Sequence, residues 1–369
     1  MIAFTSSTQL QIRPASAEEL RGWDSLVRRF PNRRVVHTLA WIRSLEASGF
    51  GKPEYLVLER EGSIVACLPG LISEIGPLRL FGSPPPASQT VSMGPAFDDQ
   101  RVTAPEIMEV VLPYLERQRT IHHIEIMSPD LDPGTMLALG FRGEPWPTYR
   151  APLYPGDEKR TLKGLKENAR RNIARAKKLG LVVRFEQDER FVTEHYDQLR
   201  EVYVRGGHAI NFGRDRVLQC FRQMRDAGNL LAVSISLPDT TCIATGMFTV
   251  EGTELLLWSW AHRAEHRWYR PTELMTWAVM QRALQAGCET FDLMGLGDFK
   301  TKFGAELDQR KYRWIRSRYS WLGQLRNLAA RGLAWHQVVR GRMALWGSAG
   351  LRSSNGARKN GSTHGGDQA

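Results

Sequence analysis

Between Leu255 and Gly304 the spacing of apolar positions changes repeatedly. Leu255 to Trp260 is a short apolar run rich in strand-forming residues. His262 to Pro271 is polar, and Thr272 to Ala286 repeats apolar residues at helical spacing until Gly287 stops it. Cys288 to Leu293 is a second apolar run, Met294 to Asp298 a glycine turn, and Phe299 to Gly304 the start of a helix or tight loop. The pattern predicts strand, helix, strand. A right-handed crossover sets those strands parallel in one sheet, with a loop and a helix N-terminus at one end.

The rest of the chain predicts a mixed set of elements. Ala17 to Phe30, Thr103 to Gln118 and Asp132 to Leu139 read as helices, the last ending at Gly140. Tyr55 to Glu59 and Ser63 to Leu68 read as strands joined by a hairpin turn at Glu61-Gly62, and Ile121 to Met127 as another strand. Pro84 to Pro86 marks a stiff loop, and Tyr154-Pro155-Gly156-Asp157 a linker. Beyond it, Leu162 to Leu179 is a basic amphipathic helix closed by Gly180 and leading into a strand, Leu181 to Phe185. His195 to Val204 and Arg214 to Ala227 follow as helices, then Leu230 to Leu237 and Cys242 to Val250 as antiparallel strands. The expected division is 1–153, 158–318, a basic helix at 319–347 and a disordered tail at 348–369.

Composition changes the picture mainly through where the charge lies. From Arg310 onward, 12 Lys and Arg face Asp367 alone, which matches the whole net charge of +11. Lys159 to Arg184 carries a second excess, 10 Lys and Arg against Glu167. Two separate basic segments suit an acidic partner better than uniform basicity would. In the tail, Trp321, Leu325, Leu328, Trp335, Val339, Met343 and Trp346 share one helical face flanked by arginines, which suits an anionic membrane surface or docking on the second domain. No run reaches membrane-spanning length, no signal peptide is apparent, and Cys67, Cys220, Cys242 and Cys288 lie far apart without a CxxC. A cytoplasmic protein with reduced thiols is expected, with peripheral contact at the inner membrane face as an option.

The chemistry gathers at the helix start. Pro271 needs no N–H there, Thr272 can serve the free amides that follow, and the helix dipole favours an anion. With Arg263, Arg267 and Arg270 nearby, that end could hold a pyrophosphate. A capped surface helix with solvated arginines accounts for the same residues.

The motifs here resemble the cofactor half of the GNAT-like acyltransferases of the FemAB and BioF2-like (CelD/BcsL) group. The matches are Pro271 at the helix start, Phe291-Asp292 at the strand end, and Phe299-Lys300 with Phe303-Gly304. Arg270 and Thr272 replace the small residue and glycine around the proline, and Phe299 replaces a tyrosine. A second resemblance runs through Asn168, Arg171-Asn172-Ile173, Arg175-Ala176 and Lys178-Leu179-Gly180, which look like the helix opening the second domain of that group.

The resemblance implies an α/β (α+β) chain of two tandem GNAT-like domains with mixed sheets flanked by helices, the first degenerate and the second handling the cofactor. It implies transfer of an acyl group, most simply acetyl, from acetyl-CoA or another acyl-CoA to an amine or hydroxyl of a saccharide or a cell-envelope or exopolysaccharide precursor, without a metal. In that architecture an exposed strand edge pairs with the amide-bearing arm of the thioester. Trp258, Ser259, Trp260, Arg267, Arg270, Pro271, Thr272 and Glu273 are then the cofactor side, and Asn168, Arg171, Asn172 and Arg175 the acceptor side. Catalytic candidates are Asp292 to orient or deprotonate the acceptor, Lys300 to neutralise a phosphate, and His208 as a loop base. A capping carboxylate, a surface lysine and an exposed histidine are their ordinary alternatives. Two other functions stand beside this one: aminoacyl-tRNA-dependent transfer onto a peptidoglycan precursor, as FemAB relatives do, and a non-catalytic module binding nucleic acid or membrane through the basic segments.

Overall fold

The structure, a computed structural model, describes residues 9–208 and 210–319. The expected basic helix and tail lie outside the described residues except for Tyr319. Among the described residues, fifteen strands form two sheets. The first sheet holds β1 (Gln11–Pro14), β2 (Lys52–Arg60), β3 (Ser63–Ile75), β4 (Leu78–Ser83), β5 (Ala96–Phe97), β6 (His123–Ser128) and β7 (Arg142–Pro145). The second holds β8 (Thr148–Pro152), β9 (Val182–Glu186), β10 (Leu230–Ser236), β11 (Cys242–Glu251), β12 (Glu254–His262), β13 (Thr290–Asp292) and β14 (Glu306–Asp308). The last strand, β15 (Tyr312–Ser317), returns to the first sheet.

Both sheets repeat one plan. Each is antiparallel except at one parallel pair, β4 with β6 in the first and β12 with β13 in the second. A helix connects each pair: Ala104–Pro113, started by a Thr103/Glu106 capping box, and Pro271–Gln285. The fold is thus two tandem α/β domains of the kind expected.

The order of strands crosses the expected boundary at 153/158. The first sheet runs β1-β2-β3-β4-β6-β15-β7, so the C-terminal strand lies between β6 and β7. The second runs β14-β8-β13-β12-β11-β10-β9, so a strand preceding the linker lies between β13 and β14. Each sheet is completed by the chain of the other half. A buried cluster joins the halves again, packing Trp41, Ile42 and Leu45 of the helix Leu39–Ala47 against Val217 and Phe221 of the helix Arg214–Asp226.

Local chemistry explains where elements differ from expectation. Gly22 divides the expected 17–30 helix into Ala17–Arg21 and Trp23–Val27. The basic helix likewise splits into Glu158–Gly164 and Glu167–Lys178, because Leu165 and Lys166 adopt extended backbone. The Glu61-Gly62 hairpin is as read, with φ of 52° and 71° matching the twist of β2 and β3. At Gly304 φ is 73°, and a Cβ there would lie 2.7 Å from the Gly164 carbonyl oxygen. The Phe-Gly motif therefore ends in glycine for a packing reason.

Candidate active site

The parallel pair in the second sheet is short. Glu254, Leu255 and Leu256 pair with Thr290, Phe291 and Asp292, and there the pairing stops. Leu293 donates its N–H to the Tyr149 carbonyl at 2.8 Å, so the chain leaves β12 and follows β8. From Leu257 to His262, β12 keeps β11 on one side and has no partner strand on the other among the described residues. Its free edge borders a cleft of about 170 Å3 lined by Gln89, Tyr203, Phe212, Trp258, Ser259 and Lys300 among others. Gln89 comes from the first half of the chain.

A bulge sets which side chains face the cleft. Met247 pairs with Ser259 and Phe248 with Leu257, leaving Trp258 as the extra residue. Alternation is reset, so Trp258 and Ser259 both turn toward the helix layer of Arg190–Arg205 and Arg214–Asp226. Trp260, which also lines the cleft, turns to the opposite face of the sheet, edge-on to Phe299 at 5.8 Å between ring centroids. Trp258 is buried, donates its indole N–H to the Gln89 carbonyl at 3.0 Å, and lies 5.4 Å from the Arg216 guanidinium. It is a wall of the cleft anchored in the core.

Ser259 meets a buried polar chain. Its hydroxyl is 2.8 Å from His195 Nε2, and His195 Nδ1 is 2.9 Å from Thr245 Oγ1. Thr245 donates to Gln198 Oε1 at 3.0 Å, and Gln198 Nε2 donates to Glu194 at 2.8 Å. Glu194 pairs with Arg263 at 2.7 Å. Burial pushes the fully enclosed His195 down to about 3, so the ring is neutral at ordinary pH.

Asp292 is 1 % exposed and its carboxylate is fully engaged. Thr148 Oγ1 donates to Oδ1 at 2.6 Å, the Met294 N–H donates to the same oxygen at 2.8 Å, and Lys311 Nζ lies 3.2 Å from Oδ2. Burial alone would raise this carboxyl; the Lys311 ammonium, Thr148 and the Met294 amide outweigh it and hold it below the usual range. The group ties β13, β8 and the approach to β15 together. Lys300 is also buried, and its ammonium donates to the carbonyls of Met294, Gly295 at 3.1 Å and Leu296 at 3.3 Å. Its three protons are thus spent on the glycine turn, not on a free phosphate site. Burial pushes Lys300 down to about 8, against the pull of Asp292. His208 is exposed and does not line the cleft.

At the helix start, Arg270 is the N-cap in left-handed conformation, φ 62°, and provides no side-chain cap to the first-turn amides, and Arg267 and Arg270 beside them are exposed. Arg263 is instead committed to Glu194 and Glu201. Thr272 Oγ1 lies 3.5 Å from His262 Nδ1, and Glu273 is buried, accepting from Asn172 at 2.9 Å and from Lys302 at 3.4 Å. The Asn172 contact places the basic helix Glu167–Lys178 beside this helix start. Asn168, Arg171 and Arg175 are exposed, Arg171 pairing with Glu167 at 2.9 Å, and none of the four lines the cleft. Their helix thus stands beside the start of the helix Pro271–Gln285, a neighbour that a helical face does not specify, since it predicts amphipathicity alone. Among the described residues no group of His, Cys, Asp and Glu is placed to hold a metal ion.

Residues 163–305 match the model of the acetyltransferase (GNAT) domain family. Over these residues the chain is an acyltransferase domain. The GNAT match spans β9 to β13, including the free edge, the crossover helix and the turn held by Lys300. Among solved structures, the chain is similar to FemX, with 13 % identity, 82 % of this chain and 96 % of that one covered, and a TM-score of 0.67. It is also similar to a tandem GNAT protein from the clavulanic acid biosynthesis pathway, at 13 % identity over 84 % of this chain and 99 % of that one, TM-score 0.51. A conserved protein of unknown function from Bacteroides thetaiotaomicron VPI-5482 has 7 % identity over 83 % and 99 %, TM-score 0.54. These likenesses show the fold, GNAT domains in tandem. No curated protein matches the sequence.

Proposed function

We propose that the chain transfers an acyl group, most simply acetyl, from acyl-CoA to an amine or hydroxyl of a saccharide or cell-envelope precursor. The observation that carries this reading is the free edge of β12, which ends beside the first-turn amides of the helix Pro271–Gln285. An edge of unpaired backbone groups suits the amide-bearing arm of the donor, and the helix start with Arg267 and Arg270 suits its phosphates. When bound, the donor supplies a thioester activated for acyl transfer. Glu273 does not oppose the phosphates, since its charge is drawn to Lys302 and Asn172.

In this reading Lys300 and Asp292 are positioning residues. Lys300 curls the turn Met294–Leu296 at the mouth of the cleft, and Asp292 fixes the strand from which that turn departs. The acceptor enters between the two halves, where Gln89 meets Tyr203, Phe212 and Trp258. Residues 319–347 are proposed to contact an anionic membrane, which is tested by vesicle co-sedimentation of the chain ended after Tyr319, so that β15 is kept.

A thermal-shift titration with acetyl-CoA, longer acyl-CoAs and free CoA tests the donor. A ligand that binds the folded state adds about 2.7 kcal/mol of stability at a hundred times its dissociation constant. A saturable rise in Tm, smaller in Lys300→Ala, supports the reading. No rise with any thioester overturns it.

A second donor has one observation in its favour. The exposed basic face of Glu167–Lys178 stands next to the helix start through the Asn172–Glu273 contact, a surface suited to a longer polyanion such as an aminoacyl-tRNA. Binding of tRNA with a steep salt dependence, in the absence of any acyl-CoA shift, would favour it.

A further inference from the structure

The polar chain behind Ser259 has a fixed direction, and the direction can be worked out from its far end. Glu194 is paired with Arg263 and accepts only, so the Gln198 group facing it is the NH2, at 2.8 Å. The Gln198 carbonyl therefore faces Thr245, which gives its single hydroxyl proton there at 3.0 Å. With that proton spent, Thr245 Oγ1 accepts from His195 Nδ1, 2.9 Å away. A neutral imidazole protonated at Nδ1 has a bare lone pair on Nε2. The Ser259 hydroxyl, 2.8 Å from Nε2, must donate to it. What Ser259 presents to the cleft is then only its lone pairs.

We propose that Ser259 Oγ accepts a hydrogen bond from the N–H or O–H of the acceptor molecule and thereby orients its lone pair toward the acyl group. The proposal rests on the acyl-transfer reading above. Its grounds are the position of Ser259 on the cleft wall, the bulge that turns it there, and the one-way chain that leaves it no proton to offer. The acceptor it suits carries an N–H or O–H donor, and the aromatic walls of Tyr203, Phe212 and Trp258 suit the apolar face of a sugar ring.

Burial keeps this polarity constant with pH. A protonated His195 would donate from Nε2 and turn Ser259 into a donor, but the ring titrates only at about 3. Around it stand Phe191, stacked at 5.3 Å, together with Thr245 of β11 and Ser259 of β12. Gln198 adjoins through Thr245, and the charged groups that the chain reaches are Glu194 and Arg263, the latter shared with Glu201.

Two measurements test the proposal on the full-length protein. Two-bond 1H–15N spectra of protein labelled at histidine, with His195→Gln to identify the signal, report the tautomer without any substrate. An Nδ1–H neutral ring from pH 8 to pH 5, lost as a single tautomer in Thr245→Val, is expected; an Nε2–H ring, or an imidazolium by pH 6, overturns it. The second measurement follows thiol release from acetyl-CoA with glucosamine as probe. Ser259→Ala should lower kcat/KM for glucosamine about 10- to 100-fold, the loss of one hydrogen bond in a desolvated site, while the Tm rise with acetyl-CoA is kept. An unchanged rate, or loss of the acetyl-CoA shift in Ser259→Ala, overturns the assignment. If acetyl-CoA shifts neither protein, the donor reading fails, and the tautomer alone decides the polarity of Ser259.

Discussion

Lys311 Nζ lies 3.2 Å from Asp292 Oδ2, and both side chains are almost wholly enclosed. Asp292 ends β13 in the second sheet, whereas Lys311 immediately precedes β15 in the first. The ion pair therefore joins the two sheets at the point where their strands are exchanged. Removing one partner of a buried pair leaves an uncompensated charge, which typically costs about 3–5 kcal/mol. Lys311→Met should lower the unfolding free energy by that amount in denaturant titration. Asp292 is held below the ordinary Asp range, so its contribution is complete above that range and is lost as pH falls through it. The variant, lacking the ammonium, should unfold in acid at a higher pH. A loss below about 1 kcal/mol would show that the pair does not couple the sheets.

The exchange also predicts what the C-terminal strand supports. Trp314 on β15 is 1 % exposed and packs in the first domain's core with Phe81, Ile124 and Ile126. Trp314→Ala should cost about 3–5 kcal/mol. Hydrogen exchange should locate the loss in β6 and β7, far from the strand's neighbours in sequence. Ending the chain after Arg310 should expose the same strands, whereas ending it after Tyr319 should leave them protected.

Lys300 gives a pH signature. Its ammonium holds the turn carbonyls of Met294, Gly295 and Leu296, and burial brings its titration to about 8. Acyl transfer should fall as pH rises above about 8, when the neutral amine releases part of that grip. Lys300→Ala should lower kcat/KM at neutral pH by about 100-fold and lose that limb of the profile. Stability should move the other way. Between about 8 and the ordinary lysine value the unfolded state binds more protons, so the wild type gains stability with rising pH and the variant does not. A wild-type rate that stays flat to pH 9.5 would contradict this account of the turn.

Much of the fold was legible from spacing. The crossover from Leu255 to Leu293 appears as read, because a helical period bounded by Pro271 and Gly287 between two apolar runs has few other solutions. The exchange of β8 and β15 was not legible. Thr148–Pro152 and Tyr312–Ser317 have five and six residues, and nothing in so short a strand specifies which of two sheets it will join. The site divides similarly. Trp258, Ser259 and Lys300, singled out by motif and position, line one cleft, and the helix start does not. His195, Thr245 and Gln198 were missed because they come from a helix and a neighbouring strand and converge only through tertiary packing. A weak signal existed in Thr245 and Ser259, polar residues in largely apolar strands that both reach His195. His208 is read from loop position and Asn168, Arg171, Asn172 and Arg175 from resemblance, and none of the five lines the cleft.

The central claim is that the free edge of β12 and the start of the helix Pro271–Gln285 receive the acyl-CoA donor. Amide hydrogen exchange with and without saturating acetyl-CoA tests it most directly, since those backbone groups have no partner strand or cap among the described residues. The account predicts added protection confined to 257–262 and 272–274, with β9 and β10 unchanged. Protection elsewhere, or none at a concentration that raises Tm, would contradict it.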